Sequence, residues 1–466
     1  MNPIAQTIPT QVDVIVLGAG LAGQCAALSA AEAGAEVLLL EKTSEFGGSS
    51  KLSAGSFAFA QTEDQRALGI EDSLEKLEGD IFSASMNLAD PDLVRLYVQG
   101  QADAYAWLKQ HGVVFHKIAL SSNMSVPRTH PTDPRQLVSA LQDCIRREKR
   151  ITYLDGTPAE KLLRDEQGLC NGVIAAGKAI HARAVVLACG GFSRNSRLIS
   201  QFAPRMSKAL PAGGGGNVGD GVLMGWSMGA DLIDMPFVNG TFGMVLNRYP
   251  EITADPRDEP LLRLAIYKGA IAVNLAGKRF ANESISYKSL GEICLDQPKA
   301  VGFQIFDQKI MDESEPVPTS HDLLGAYEKG VVRKAETIPE LAGLLGLDGD
   351  ELQRTVDRYN DGVAKGKEAE FGRSALSKDF GAMVRLDKPP FYGFACTTAV
   401  LATYCGLRVN TAMQVLDVYG QVIPRLYAAG ELTGGFHGAG YMSGTALGKS
   451  AIFGRIAGRE AAGSAC

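Results

Sequence analysis

The sequence predicts an α/β fold in which a nucleotide-binding domain is interrupted by a separate α+β domain. Three observations carry that expectation. A buried-strand pattern at residues 12–17 runs into Gly18-Ala19-Gly20-Leu21-Ala22-Gly23 and then an alanine-rich helix. A second strand breaking into glycines, residues 426–435, lies near the other end of the chain and is also followed by a helix. Between them, over residues 239–394, the pattern changes to short strands, prolines and charged helices. Residues 1–238 and 395–466 are therefore expected to form one Rossmann-like domain, with 239–394 inserted as a second.

Each element follows from its local chemistry. The glycines at 18–23 let the backbone turn tightly and approach a pyrophosphate, while the helix N-terminus offers N–H groups and a positive dipole end. Residues 36–40 read as the second strand, and Glu41 stands about 20 residues past the glycines, where a carboxylate takes ribose hydroxyls. Gly47-Gly48-Ser49-Ser50 is a small-residue loop. Residues 72–112 are mainly helical, with Leu93, Tyr97, Ala104 and Leu108 near helical spacing. Residues 128–131 close an irregular loop, and Gln136 begins an amphipathic helix that ends at Arg147. Residues 151–154 and 172–175 read as strands. The apolar strand 184–187 continues through Ala188 and Cys189 into Gly190-Gly191, a third place for backbone to approach a cofactor. Glycines 213–216 and Asn217 lead into a helix starting near Asp220, and residues 351–360 are a charged helix of the insertion. Only one GxGxxG, at Gly18–Gly23, directly follows a predicted strand. An enzyme that takes hydride from a nicotinamide through its own domain normally carries a second.

Bulk properties narrow the class. A chain of 466 residues exceeds one ordinary core, so at least two domains are expected. With 45% hydrophobic and 21% charged residues it reads as a soluble globular protein. A net charge of −6 argues against a nucleic-acid partner, because no excess cation is available for phosphates. No run reaches the ~18 apolar residues a membrane-spanning helix needs, and residues 1–7 lack the basic start of a secretion signal. The eight cysteines, Cys466 among them, include no Cys-x-x-Cys, which removes iron–sulfur, zinc-ribbon and dithiol readings. Scattered reduced thiols point to the cytoplasm. The six histidines show no metal-ligand spacing, so no metal is expected.

With these blocks in order, the chain resembles the fumarate reductase/succinate dehydrogenase flavoprotein superfamily along essentially its whole length. The resemblance rests on Gly18 to Gly23, Glu41, Gly47 to Ser50, residues 128–131, Gly219-Asp220-Gly221, Gly277-Lys278-Arg279-Phe280-Ala281-Asn282-Glu283, Pro389-Pro390-Phe391-Tyr392, Gly430-Glu431-Leu432-Thr433-Gly434-Gly435 and residues 453–458. It implies FAD as cofactor, a Rossmann-like FAD-binding domain, and a capping role for the insertion. It extends the expected FAD contacts to Lys42, Ser53, Ala54, Gly55 and Ala159, places Glu431 on the ribityl hydroxyls, and puts Thr445, Ala446 and Leu447 at the helix start beside the flavin. Covalent attachment in the wider family uses a histidine just past the 47–50 loop; Lys51-Leu52-Ser53-Ala54 offers none, so non-covalent FAD is expected.

The departures from the family pattern are as informative as the matches. Fumarate reductases carry a proton-donor arginine after the GKRFxNE run and a carboxylate-clamping arginine in HGxNRLGGN. Here Tyr287 and Tyr441 stand in those slots, and Leu401-Ala402 replace a pair of histidines. Tyrosines at these places resemble the 3-ketosteroid dehydrogenase branch and related desaturases of cyclic ketones, and the Tyr-x-Ser-Gly run at 441–444 is most like the Δ4-dehydrogenases. Desaturation beside a ketone needs a polarised carbonyl, a base for the α-hydrogen and a hydride acceptor, which is flavin N5. The expected roles are Tyr441 hydroxyl and Gly444 N–H on the carbonyl oxygen, Tyr287 as base, and Ser443 as proton relay or ring positioner. A phenol of pKa ≈ 10 costs about 4 kcal/mol to ionise at neutral pH, which predicts a faster reaction in alkali. Tyr267, Tyr392 and Tyr404 read as packing residues, and His437 as lining the flavin or capping the glycine loop. Arg248 and Arg263 are cations of the insertion to which no role is assigned.

The leading reading is an FAD-dependent dehydrogenase making an α,β-unsaturated ketone from a cyclic ketone. Its flavin would be reoxidised by oxygen, a quinone or an electron-transfer protein. A second is a soluble ene reductase acting on an activated alkene, and a third is a non-catalytic flavin-binding subunit.

Overall fold

A computed structural model describes residues 8–238, 240–252, 261–316, 320–377 and 381–463. Residues 1–7 and Cys466, both read above, lie outside that set. The chain divides into two compact units: Met1–Ala203, Gly213–Val238 and Ala402–Cys466 in the first, Pro204–Ala212 and Asn239–Leu401 in the second.

The first unit is built on five parallel strands in the spatial order Val422–Ala428, Lys178–Leu187, Gln11–Leu17, Val37–Leu40, Ile151–Leu154. Toward the glycine loops its central strands are unbroken apolar runs, Val14–Leu17, Val37–Leu40 and Ala184–Leu187, as expected for segments buried on both faces. Register is what positions the site. Leu17 lies opposite both Leu40 and Leu187, and Leu187 lies opposite Ala428. Leu40 also lies opposite Leu154, so all five strands end level, and the loops that follow them leave from one edge of the sheet, the usual ligand edge of an open α/β sheet. Two helices flank it: Leu21–Glu32, which carries the first glycine turn, and Thr445–Gly463. They pack at backbone distance, because a Cβ on Gly458 would sit 2.1 Å from the Ala26 carbonyl oxygen.

Residues 128–131 differ from the irregular loop expected. Thr129–Pro131 is a short strand paired antiparallel with Ser56–Ala58. Arg128 beside it is fully buried against Asp72, at 2.7 Å, and Asp80, and that local tie-down has no sequence period to announce it.

The second unit centres on the ten-residue strand Phe391–Val400, paired with Thr241–Val245, Val301–Asp307 and Arg333–Ala335 antiparallel and with Leu210–Pro211 parallel. This strand carries the unit to Leu401, seven residues beyond the 394 boundary read from composition. Helices Tyr287–Leu295, Ile338–Leu345 and Gly349–Ala364 belong to the same unit. Phe242, Phe303, Phe306, Phe394 and Tyr359 fill its core. Among the described residues no helix is long and apolar enough to cross a membrane, and no three His, Cys, Asp or Glu side chains converge as a metal site. The seven described cysteines are free thiols.

Candidate functional site

The glycine edge of the first unit is assembled by close backbone approach. A Cβ on Gly23 would lie 1.8 Å from the Gly18 carbonyl oxygen, so the 18–23 turn closes on itself only with glycine there. Gly20 forms the helix N-terminus without a side-chain cap. A Cβ on Gly20 would project between Ser50 Oγ, 3.8 Å away, and the Gly47 carbonyl at 4.0 Å. An N-terminus with no cap from its own first residue, facing a space that one methyl would fill, is the cradle a diphosphate needs. Ser50 Oγ accepts from Leu21 N at 3.1 Å and so ties the 47–50 loop to that turn.

Glu41 ends the second strand as expected. Its Oε2 accepts from Ala19 N and its Oε1 from Thr43 N, both at 2.9 Å. Oε1 accepts from Thr43 Oγ1 as well, at 2.8 Å, while Oε2 keeps a second lone pair, which suits a ribose hydroxyl. Lys42 pairs with Asp220 at 2.6 Å and joins the second strand to the helix Asp220–Ser227. Ala159 opens the strand Ala159–Arg164 two residues past Thr157, whose N–H donates to the Glu41 carbonyl. Ser53 donates to the Ser50 carbonyl at 2.8 Å and accepts from Gly55 N at 3.1 Å, with Ala54 between them.

A buried polar chain links three of the predicted segments. Asn217 Nδ2 donates to Glu431 Oε2 at 2.8 Å and to Ser49 Oγ at 3.3 Å, and Glu431 Oε1 accepts from Thr403 N at 3.0 Å. Gly191 has to be glycine here: its Cβ would stand 2.0 Å from Thr403 Oγ1 and 2.4 Å from Glu431 Oε1. Burial raises the Glu431 carboxyl above the ordinary range against the pull of these donors. Gly48, Ala188, Cys189, Gly190, Gly430 and the 445–447 helix start all belong to this unit. Their arrangement, a cradle at Gly20, a ribose carboxylate at Glu41 and a partly satisfied carboxylate at Glu431, fits an extended dinucleotide such as FAD.

Tyr441 sits just before the last helix. Its hydroxyl accepts from Gly444 N at 3.1 Å, and the Ala446 N–H acts in the same sense. Burial nevertheless raises the phenol above its ordinary value, so it is protonated at neutral pH. This geometry differs from the expected pair of independent donors. The Gly444 N–H backs the phenol oxygen and polarises its O–H. Asn123 Nδ2 donates to the Tyr441 carbonyl at 2.7 Å, and Ser443 N donates to the Ser122 carbonyl at 3.1 Å, which fixes the 441–443 backbone. Tyr404 stacks on the Tyr441 ring at 5.1 Å, and His437 meets Tyr404 edge-on at 4.8 Å. Tyr404, read from sequence as packing, thus packs on the candidate catalytic ring itself.

In the second unit Tyr287 is the first residue of its helix, capped by Ser286, whose hydroxyl accepts from Ser289 N at 3.2 Å. Tyr287 N donates to the Tyr267 hydroxyl at 3.4 Å, and the two rings meet edge-on at 6.3 Å. Lys288 is buried beside it and escaped the sequence reading, because a lysine in a helix ordinarily faces water. Arg263 is likewise buried, paired with Asp322 at 2.9 Å, so it supports its own loop. Tyr392, by contrast, stacks on Phe306 at 5.5 Å, a packing position.

Comparison with known proteins agrees with this geometry. The family model described as FAD binding domain matches residues 13–447. A cytochrome-type fumarate reductase of Shewanella frigidimarina is 32% identical over 462 residues, covering 97% of this chain and 77% of that protein. A urocanate reductase of Eggerthella lenta is 33% identical, covering 98% and 75%. Among solved structures, the open conformation of a flavocytochrome c3 fumarate reductase superposes with a TM-score of 0.85 at 29% identity, over 98% of this chain and 79% of that one. A 3-ketosteroid-Δ4-(5α)-dehydrogenase of Rhodococcus jostii, in complex with 4-androstene-3,17-dione, gives 0.75 at 28% identity over 98% of both chains.

Proposed function

The chain belongs to the FAD-binding fumarate reductase/succinate dehydrogenase flavoprotein superfamily, and from that membership we propose that it is an ene reductase for an alkene conjugated to a neutral carbonyl, a ketone above all. The observation that carries the reading is Tyr441: a protonated phenol, backed by Gly444 N–H at 3.1 Å, in the slot where the resemblance implies a carboxylate-clamping arginine. A neutral donor suits a ketone oxygen, whose developing negative charge strengthens the hydrogen bond in the transition state by about 3–4 kcal/mol. A carboxylate would instead call for a cation. Bound FAD supplies the hydride chemistry, and the flavin is held without a covalent bond. Tyr441 orients and polarises the carbonyl, and Tyr287 gives its phenol proton to the α-carbon. Ser443 fixes the turn that presents Tyr441. Relatives named as fumarate and urocanate reductases support the reductive direction.

The reverse reaction, desaturation of a cyclic ketone, is a second reading. The full-length match to the ketosteroid dehydrogenase and the Tyr-x-Ser-Gly run favour it. Tyr287 then receives the α-proton, and the external electron partner, oxygen, a quinone or another protein, decides the direction. The free thiols of the seven described cysteines favour a cytoplasmic setting.

The test is anaerobic. Chemically reduced holoenzyme is mixed with cyclic enones, steroidal enones and fumarate, and oxidised holoenzyme with the saturated ketones. Reoxidation by an enone, with fumarate inert, is the expected result. Bleaching of oxidised flavin by saturated ketones alone would favour the desaturase, and fumarate turnover matching the enones would overturn both.

A further inference from the structure

We propose that Lys288 is the positioning residue for Tyr287, holding its ammonium against that ring and returning the proton that the phenol gives up. The inference rests on the reading of Tyr287 as proton donor and deepens it. Lys288 follows Tyr287 on the helix Tyr287–Leu295 but turns inward, and only 8% of it reaches solvent. Its Nζ donates to Thr241 Oγ1 at 2.6 Å and lies 5.5 Å from the centre of the Tyr287 ring. A buried ammonium is costly, and here it sits beside a residue whose chemistry needs one.

The charged and titratable surroundings are few. Glu292 is one turn along the same helix, and its side chain is tied at 3.5 Å to Arg205 of Pro204–Lys208, which also pairs with Asp296 at 2.7 Å. The helix itself also carries Cys294, and the other elements packed on it bring Lys208, Lys299, Asp307, Tyr392 and Cys396; Thr241–Val245 brings none. Tyr267 and His321 pack beyond the Tyr287 ring. Of all these, Glu292 is the charge that acts on Lys288, and burial still pushes the lysine down to about 7. Burial also raises Glu292. Arg205, Glu292, Lys288 and Tyr287 thus form a graded series from an exposed ion pair to the candidate acid.

The proton balance is simple. The Tyr287 O–H bond breaks as the α-C–H bond forms, leaving phenolate. The Lys288 ammonium gives an N–H proton to that oxygen and becomes an amine, its four-carbon stem allowing the movement from Thr241. Glu292 and solvent then restore the ammonium. An ordinary lysine holds its proton too tightly to share this role near neutral pH, whereas one poised near pH 7 exchanges it readily.

The test reads Tyr287 directly. Holoenzyme carrying isotope-labelled tyrosine is titrated by NMR, with the Tyr287 signal assigned by its loss in Tyr287→Phe. The wild-type signal should shift with an inflection near pH 7. The inflection should vanish in Lys288→Met and move to lower pH in Glu292→Gln, which removes the carboxylate favouring the ammonium. Enone-driven flavin reoxidation should fall about a hundredfold in Lys288→Met, and Lys288→Arg, which keeps a cation beside the ring but does not give up its proton, should fail to restore it or the limb near pH 7. A wild-type signal with no inflection, or one unchanged in Lys288→Met, overturns the pairing. If the titration behaves as expected but no enone reoxidises the flavin, the pairing stands and the ene reductase reading falls.

Discussion

Around the glycine loops of the first unit, the buried carboxylates Glu41 and Glu431 are met by backbone N–H groups and an amide side chain. In the second unit Glu283 and Glu368 also accept from backbone N–H groups but are met in addition by guanidinium groups. Arg279 binds Glu283 at 2.6 Å and Glu368 at 3.0 Å, and Arg373 reaches Glu283 at 3.4 Å. The rings of Tyr359 and Phe371 cover Arg279 at 5.1 and 5.4 Å. A carboxylate held by neutral donors keeps room for ligand hydroxyls, while one enclosed by arginines and aromatic rings is scaffold. The difference separates the unit that grips a cofactor from the unit that must hold its own shape.

The largest effect should come from crowding the first unit. Gly23→Ala places a methyl 1.8 Å from the Gly18 oxygen, and relieving that overlap opens the turn at a cost upwards of about 5 kcal/mol. The purified variant should contain essentially no FAD, measured by flavin absorbance per chain. Wild-type flavin content would show that the glycine edge tolerates rearrangement and would break the contrast drawn here.

Next is the charge network of the second unit. Arg373 donates to the Ala270 and Ile266 carbonyls at 3.0 and 3.1 Å and faces Glu283. Arg373→Met should destabilise by about 3–4 kcal/mol, because it strands two buried carbonyls and leaves Glu283 with one guanidinium partner in place of two. Urea unfolding measures the loss, and flavin content of the folded fraction should be unchanged. Loss of flavin in step with stability would mean that the two units do not divide the work in this way.

These two predictions also mark how far the sequence could be read. Glycine loops, the strand runs and Glu41 were legible because they are local: tight turns need glycine, and parallel strands need unbroken apolar runs. The Arg279, Glu283, Glu368 and Arg373 network was not, since its members lie up to 94 residues apart and each looks like an ordinary surface charge. Tyr441 and Tyr287 stood out only through resemblance. Lys288, and the ring on which Tyr404 packs, stayed hidden because burial beside one ring and stacking on another are tertiary facts. Composition placed the end of the insertion at 394, whereas the strand Phe391–Val400 runs continuously past that point.

A smaller effect tests the tyrosines together. Tyr441→Phe and Tyr287→Phe should each keep FAD and lose about two orders of magnitude in enone-driven flavin reoxidation, equivalent to about 2.7 kcal/mol. Tyr441→Phe should show the loss mainly in the chemical step, since its oxygen pairs more strongly in the transition state than in the ground state. Equal rates in wild type and both variants would reduce both rings to packing.

The smallest effect is a pH dependence that sharpens the comparison. Burial raises the Glu431 carboxyl, so the folded chain holds that proton more tightly than the unfolded chain. Stability from this group is fully present below the unfolded value, about 4.3, and is lost as pH rises through the folded value. Lys449, which donates to the Thr433 carbonyl at 2.6 Å, is pushed down to about 8 by burial. Its charged form is the one disfavoured by folding, so stability returns as pH rises from about 8 toward the unfolded lysine value. The first unit should therefore show a shallow minimum in melting temperature between these windows. Glu431→Gln should remove the acid-side fall and leave the alkaline rise, because the amide still accepts from Thr403 N but has no proton to lose. An unchanged acid-side fall in the variant would place the titrating group elsewhere, with Asp234, also raised by burial, the next carboxyl to replace.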